Sequence, residues 1–63
     1  MKDFLFVMTE NSANEGEEIL CEAKDLFDAW NILLYNYNFS TEELEFVEEM
    51  SVEEGEMLGL DTY

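Results

Sequence analysis

The sequence predicts an α+β fold: a small, three-stranded, mainly antiparallel sheet in the order 2-1-3, packed against one long helix, with a short C-terminal helix. Three observations carry this expectation. The apolar residues repeat with a strand period, change to a helical period in mid-chain and then return to alternation. At 63 residues the chain has room for one small acidic domain, residues 1–63, with no repeat or linker. It also contains 18 Leu, Ile, Val and Phe residues, nine aromatics and no proline. That apolar share exceeds the roughly 20% that marks disordered chains, so the net charge of −15 reads as a charged skin on a folded body.

The first strand is KDFLFVMTE, with Phe4, Phe6 and Met8 on one face and Leu5 and Val7 on the other. A segment apolar on both faces belongs in the middle of a sheet. NSANEGEE carries Asn, Ser and Gly without periodicity and reads as a hairpin loop. EEILCEAK then alternates, with Ile19, Cys21 and Ala23 inward and Glu18, Glu22 and Lys24 toward water, as in a half-exposed strand.

DLFDAWNILLYNYNF switches period. Leu26, Trp30, Leu33 and Tyr37 form one helical stripe, with Ala29 and Leu34 at its edges. Asp25 suits the N-cap, and Asp28 suits the positive end of the helix dipole. Ile32, Tyr35 and Phe39 make a second apolar stripe, more than one sheet face can cover, and this stripe is a candidate contact for a partner or a second copy.

ELEFVEE is read as a strand because Leu44 and Phe46 alternate, although Leu44, Val47 and Met50 also have helical spacing. Ser51 and Glu54 have the spacing of a capping box that opens the helix SVEEGEML. Gly59 fits the left-handed residue after it, and Leu60 can pack back. Gly55 costs that helix about 1 kcal/mol relative to alanine, to be offset by packing of Val52 and Leu58. With the first strand central, the outer two run parallel to each other, joined by a right-handed crossover through the long helix.

Charge narrows the function. Seventeen acidic residues against two basic ones repel nucleic acid and anionic lipid, which are bound through Lys and Arg. No apolar run approaches the roughly 20 residues of a membrane span, and a lone Cys21 cannot form an internal disulfide, so a cytoplasmic setting is expected. Catalysis has little to work with: no histidine, no nucleophile with a partner and no glycine-rich phosphate loop. Cys21, inward among acids, reads as a small core residue with a raised pKa. Trp30, Phe27, Phe4 and Phe6 read as core. Counting from Asn11 places Gly16 and Glu22 where a calcium loop has its glycine and last ligand, but Ala13 takes a ligand position and the flanks are strands. No metal, cofactor or catalytic residue is expected.

What remains is the glutamate-rich stretch Ser40 to Met57, with Glu42, Glu43, Glu45, Glu48, Glu49, Glu53, Glu54 and Glu56 and no cation. A small soluble domain needs a net charge of magnitude only about 2 to 8, so −15 exceeds a solubility role. Side chains two apart on a strand lie about 6.8 Å apart, and i, i+4 neighbours on a helix about 5 to 6 Å apart. Such rows approximate the charge density of a nucleic-acid strand, one charge per about 3.4 Å of axis.

Short, very acidic and aromatic-containing, the chain resembles in composition the general class of small phage-borne inhibitors of restriction, CRISPR or repair enzymes. The expected function is a nucleic-acid mimic, of the anti-CRISPR or anti-restriction kind, that occupies the basic groove of a DNA- or RNA-handling protein. The eight glutamates, with Glu48 and Glu49 central and Tyr35 and Phe39 as apolar anchors, are the expected contacts. The alternative is a small interaction module or homodimer, joined through Ile32, Tyr35 and Phe39, whose acid serves solubility.

Overall fold

The computed structural model describes residues 1–63. Three strands, β1 (Lys2–Met8), β2 (Glu18–Ala23) and β3 (Leu44–Met50), form a sheet in the order β2-β1-β3. Both outer strands run antiparallel to β1. Helix α1 (Leu26–Asn31) continues through a π-helical turn, Ile32–Asn36, and helix α2 (Val52–Leu58) follows β3. The expected fold class and strand order are those observed.

The local signals explain the boundaries. Asp25 caps α1 by accepting from the backbone N–H of Asp28 at 2.8 Å, and the Ser51 hydroxyl accepts from the N–H of Glu54 at 3.2 Å to start α2. Gly59 closes α2 at φ 67°, in the left-handed region. Gly16, at φ 86°, turns the β1–β2 loop back, where Met8 N–H donates to Glu17 O and Gly16 N–H donates to Met8 O, both at 2.8 Å.

The sheet has two unequal faces. One carries Phe4, Phe6, Met8, Ile19, Cys21, Ala23 and Leu44 beneath Ala29 and Leu33 of the long helix. The Phe6 ring meets Trp30 edge-on at 4.9 Å and Phe46 at 5.7 Å. The opposite face holds a smaller cluster of Leu5, Leu20 and Met50, with Leu60 packed against it.

Four sequence expectations change. First, Ile19, Cys21 and Ala23 of β2 point inward and Glu18, Glu22 and Lys24 face water as expected, but Leu20 between the two glutamates is fully buried, because Leu5, Met50 and the returning C-terminal segment cover it. That segment lies parallel to β2 along its outer edge. Leu20 N–H donates to Asp61 O at 2.9 Å, Tyr63 N–H to Leu20 O at 2.8 Å and Glu22 N–H to Tyr63 O at 3.1 Å. Second, Phe27 is 77% exposed, not core, since it stands out of phase with the Leu26, Ala29, Trp30 and Leu33 stripe.

Third, Ile32, Tyr35 and Phe39 do not form one outward stripe. The π turn bonds i to i+5 and admits an extra residue, so α-helical spacing no longer defines a face. Asn38 then takes φ 60° and Phe39 N–H folds back to Leu33 O at 3.1 Å. Ile32 and Phe39 pack on the main core, and Tyr35 alone of the three is left outside, 77% exposed. Tyr37, expected on the inner stripe, is exposed and stacks edge-on against Tyr63 at 4.8 Å. Fourth, Gly55 is buried where α2 meets β1, while Leu58, expected to pack, is about half exposed. A Cβ at Gly55 would lie 2.8 Å from Asp3 Cγ and closer still to its Oδ2, so the absent side chain is what lets α2 dock.

Candidate functional site

Strand register decides where each acidic side chain lies, because directly paired residues of antiparallel strands share a face. Asp3 pairs with Glu22 and Met50, Leu5 with Leu20 and Glu48, and Val7 with Glu18 and Glu45. All nine belong to the face turned away from α1. Five are acidic (Asp3, Glu18, Glu22, Glu45 and Glu48) and none is basic.

A bulge decides which residues of β3 take part. Phe6 pairs with Phe46 but Leu5 pairs with Glu48, which leaves Val47 as an unpaired extra residue in β3. Without that insertion the alternation after Phe46 would carry Glu48 to the α1 side. With it, Glu48 joins Glu45 on the second face, and Glu49 moves to the first, opposite Phe4. There Lys2 Nζ donates to Glu49 Oε2 at 2.6 Å, the one ion pair in the chain. Glu48 and Glu49, expected together at the centre of one patch, lie on opposite sides of the sheet as consecutive strand residues do, and the bulge selects Glu48 to join Glu45.

The remaining glutamates divide between two places. Glu53, Glu54 and Glu56 are exposed on α2, where the Glu54 carboxylate also accepts from the Ser51 hydroxyl at 3.2 Å. Glu42 and Glu43 form the turn before β3. Glu43 Oε1 accepts from Ser40 N–H at 3.1 Å, and Glu42 O accepts from the Thr9 hydroxyl, tying this turn to the hairpin loop. Glu10, Glu15, Glu42 and Glu45 border a shallow, polar cleft of about 520 Å³ between the two loops. No set of three or more acidic or thiol side chains is grouped so as to hold a metal ion.

On the second face, α2 and the sheet enclose a groove of about 390 Å³. Leu5, Met50, Leu60, Met57 and Leu58 supply its apolar lining, and Glu18, Glu48 and Glu54 its charge. Tyr35 and Phe39, the expected anchors, do not line it. Met57 and Leu58 take that place instead, 86% and 48% exposed.

Comparison with known proteins finds no match among protein families, curated proteins or solved structures. No helix is long and apolar enough to cross a membrane.

Two buried groups, one on each face of the sheet, have shifted titrations. The Asp3 carboxyl is pushed above the ordinary carboxylate range, first by burial and then by the neighbouring charges of Glu22 and Glu56. It is 2% exposed, and its Oδ1 has no hydrogen-bond partner. Burial, with Asp28 and Asp3 adding to it, pushes the Cys21 thiol up to about 11. Its Sγ lies 3.8 Å from Ala29 O inside the main core, where it packs as a small buried side chain.

Sequence reading missed Asp3, Glu18 and Glu22 as members of the acidic face, and Met57 and Leu58 as its apolar part. The strand period held a signal for the first group. Leu20 falls between Glu18 and Glu22 in phase with them, and apolar Leu20 inside an acidic row marks a face covered at its centre and open at its acidic positions.

Proposed function

We propose that this chain is a nucleic-acid-mimicking inhibitor which sets the acidic second face of its sheet against the basic groove of a DNA- or RNA-handling protein, a counter-defence activity of the anti-CRISPR or anti-restriction kind. One observation carries the reading: four of the nine strand positions on that face, Glu18, Glu22, Glu45 and Glu48, are exposed acids, a fifth, Asp3, is acidic but buried beneath α2, and none is basic. Neighbouring strands lie about 4.8 Å apart and alternate residues about 6.8 Å apart along them. The resulting charge grid is comparable in density to a phosphate track with one charge per about 3.4 Å of axis. Unlike flexible acidic tails, the grid is held rigid by the sheet and by the core behind it, so little ordering entropy opposes binding.

The test uses two variants of equal charge. One replaces Glu18, Glu22, Glu45 and Glu48 with glutamine, and the other replaces Glu15, Glu17, Glu49 and Glu53. Each is assayed for competition with labelled duplex and single-stranded nucleic acid for a basic nucleic-acid enzyme retrieved from the native host. The face variant should associate at least about tenfold more slowly at low salt, and the control much less. Equal losses in both, or binding that ignores salt, would remove the mimic reading.

Phe27 and Tyr35, each 77% exposed, favour a second reading, an interaction module or homodimer using the outer side of α1. Sedimentation of the wild type and of Phe27→Ser with Tyr35→Ser over a concentration series decides it. A monomer at all concentrations rules out the homodimer.

A further inference from the structure

We propose that the groove between α2 and the sheet seats one large aliphatic or aromatic side chain from a lysine- and arginine-flanked segment of a partner protein. This deepens the proposal above and rests on it for the basic character of the partner. A charge mimic alone has no use for Met57, which stands largely exposed, and Leu58, about half exposed, in the lining of the groove with Glu48 and Glu54. Behind them the apolar lining continues inward through Met50, Leu5 and Leu60. At about 390 Å³ the groove is within the size range of small ligand sites and has room for one or two side chains.

The walls are held in place before any ligand arrives. Ser51 caps α2 at its start, Gly59 closes it, and Gly55 rests against Asp3, so the helix cannot slide toward β1. The unbranched thioether of Met57 is free to adapt to the shape of an incoming side chain.

Charge chooses among occupants. Glu18, Glu48 and Glu54 ring an apolar floor, and no cation lines the groove. Nucleic acid and anionic lipid are repelled by this rim. A second copy of the chain, itself at −15, would bring the same glutamates face to face. A segment with an apolar anchor between lysines and arginines satisfies both floor and rim. It adds slow release to the fast encounter supplied by the surrounding acid.

Two short peptides of lysine and arginine, one with a central leucine and one with a central serine, serve as probes. Binding to the full chain is followed through methyl resonances of its methionines. Met50 and Met57 line the groove, Met8 lies in the other core, and Met1 is exposed at the N-terminus outside the groove. The leucine peptide should bind about tenfold or more tightly than the serine peptide, the factor expected for burying one leucine. Its addition should shift Met57 and Met50 and leave Met8 in place. Met57→Gln, a change at an exposed position, should abolish the preference, whereas Glu18→Gln with Glu48→Gln should weaken both peptides alike. Equal affinities, shifts at Met1 and Met8 as large as at Met57, or a preference that survives Met57→Gln would overturn the groove. In the first case the acidic-face reading still stands, provided the serine peptide binds through the glutamates. Conversely, a leucine preference without competition against nucleic acid would keep the groove and remove the mimicry.

Discussion

Gly55 sits over Asp3, and a Cβ on the glycine would occupy the space of the aspartate carboxylate. The contact joins the N-terminal strand to the C-terminal helix. It leaves an acid with one unpartnered oxygen at 2% exposure, and it sets the wall of the groove beside it.

Gly55→Ala should lower stability by about 1 to 3 kcal/mol, the usual cost of forcing extra volume into a packed contact, although alanine is the better helix former by about 1 kcal/mol. Asp3→Ala, which empties the space, should restore most of the loss. A double-mutant cycle by urea denaturation measures this, and a coupling energy near zero would show that α2 does not rest on Asp3.

Asp3 also predicts the pH dependence of folding. Its folded-state pKa is raised above the usual 3.8 by burial and by Glu22 on β2 and Glu56 on α2, while its β3 partner is the uncharged Met50. The folded state then holds the proton more tightly than the unfolded one. Its contribution is fully present below pH 3.8 and is lost as pH rises through the raised value. Asp3→Asn should therefore stabilise the protein at pH 7 and flatten its stability between pH 4 and neutrality. An unchanged slope in the variant would locate the titrating group elsewhere.

The helix outer side separates stability from association. Ile32→Ser and Phe39→Ser should each cost about 1 to 3 kcal/mol, since both side chains pack on the main core and Phe39 also meets Tyr63 at 5.7 Å. Tyr35→Ser, at an exposed site, should stay within about 0.5 kcal/mol of wild type. Thermal melts of the three variants are sufficient, and a large loss from Tyr35→Ser alone would contradict the packing.

Cys21 reports on opening of the core. Fully buried, with its pKa pushed up to about 11, it should resist a thiol reagent at pH 8 and react only as the protein unfolds. The labelling rate should rise with urea in step with the unfolded population. Labelling of the native protein as fast as a free thiol would show that the sheet and α1 separate without global unfolding.

Part of this could be read along the chain. The two-residue period of β1 and β2, the helical stripe of Leu26, Ala29, Trp30 and Leu33, and the caps Asp25, Ser51 and Gly59 are interactions between residues close in sequence. Such patterns act over three or four positions, so the element order and the central place of β1 follow from them. The acid surplus and its concentration between Ser40 and Met57 were equally visible.

Other features depend on residues far apart. Whether Glu48 or Glu49 shares a face with Glu45 turns on one extra residue, Val47, and its bulge forms only where β3 meets β1. Period alone predicts strict alternation and places them wrongly, because a one-residue shift exchanges the faces of every position after it. The π turn at Ile32–Asn36 and the left-handed Asn38 likewise bring Ile32 and Phe39 onto the core, against the helical spacing. The strand period leaves Leu20 without a partner on its face, because its cover, residues 60–63, comes from the other end of the chain. Asp3 reads as a surface acid until α2 closes over it, and Gly55 as a weak point in a helix until Asp3 lies beneath it. Composition settles how much charge the chain carries, but the side on which each charge lies is a property of long-range pairing, which has no period in the sequence.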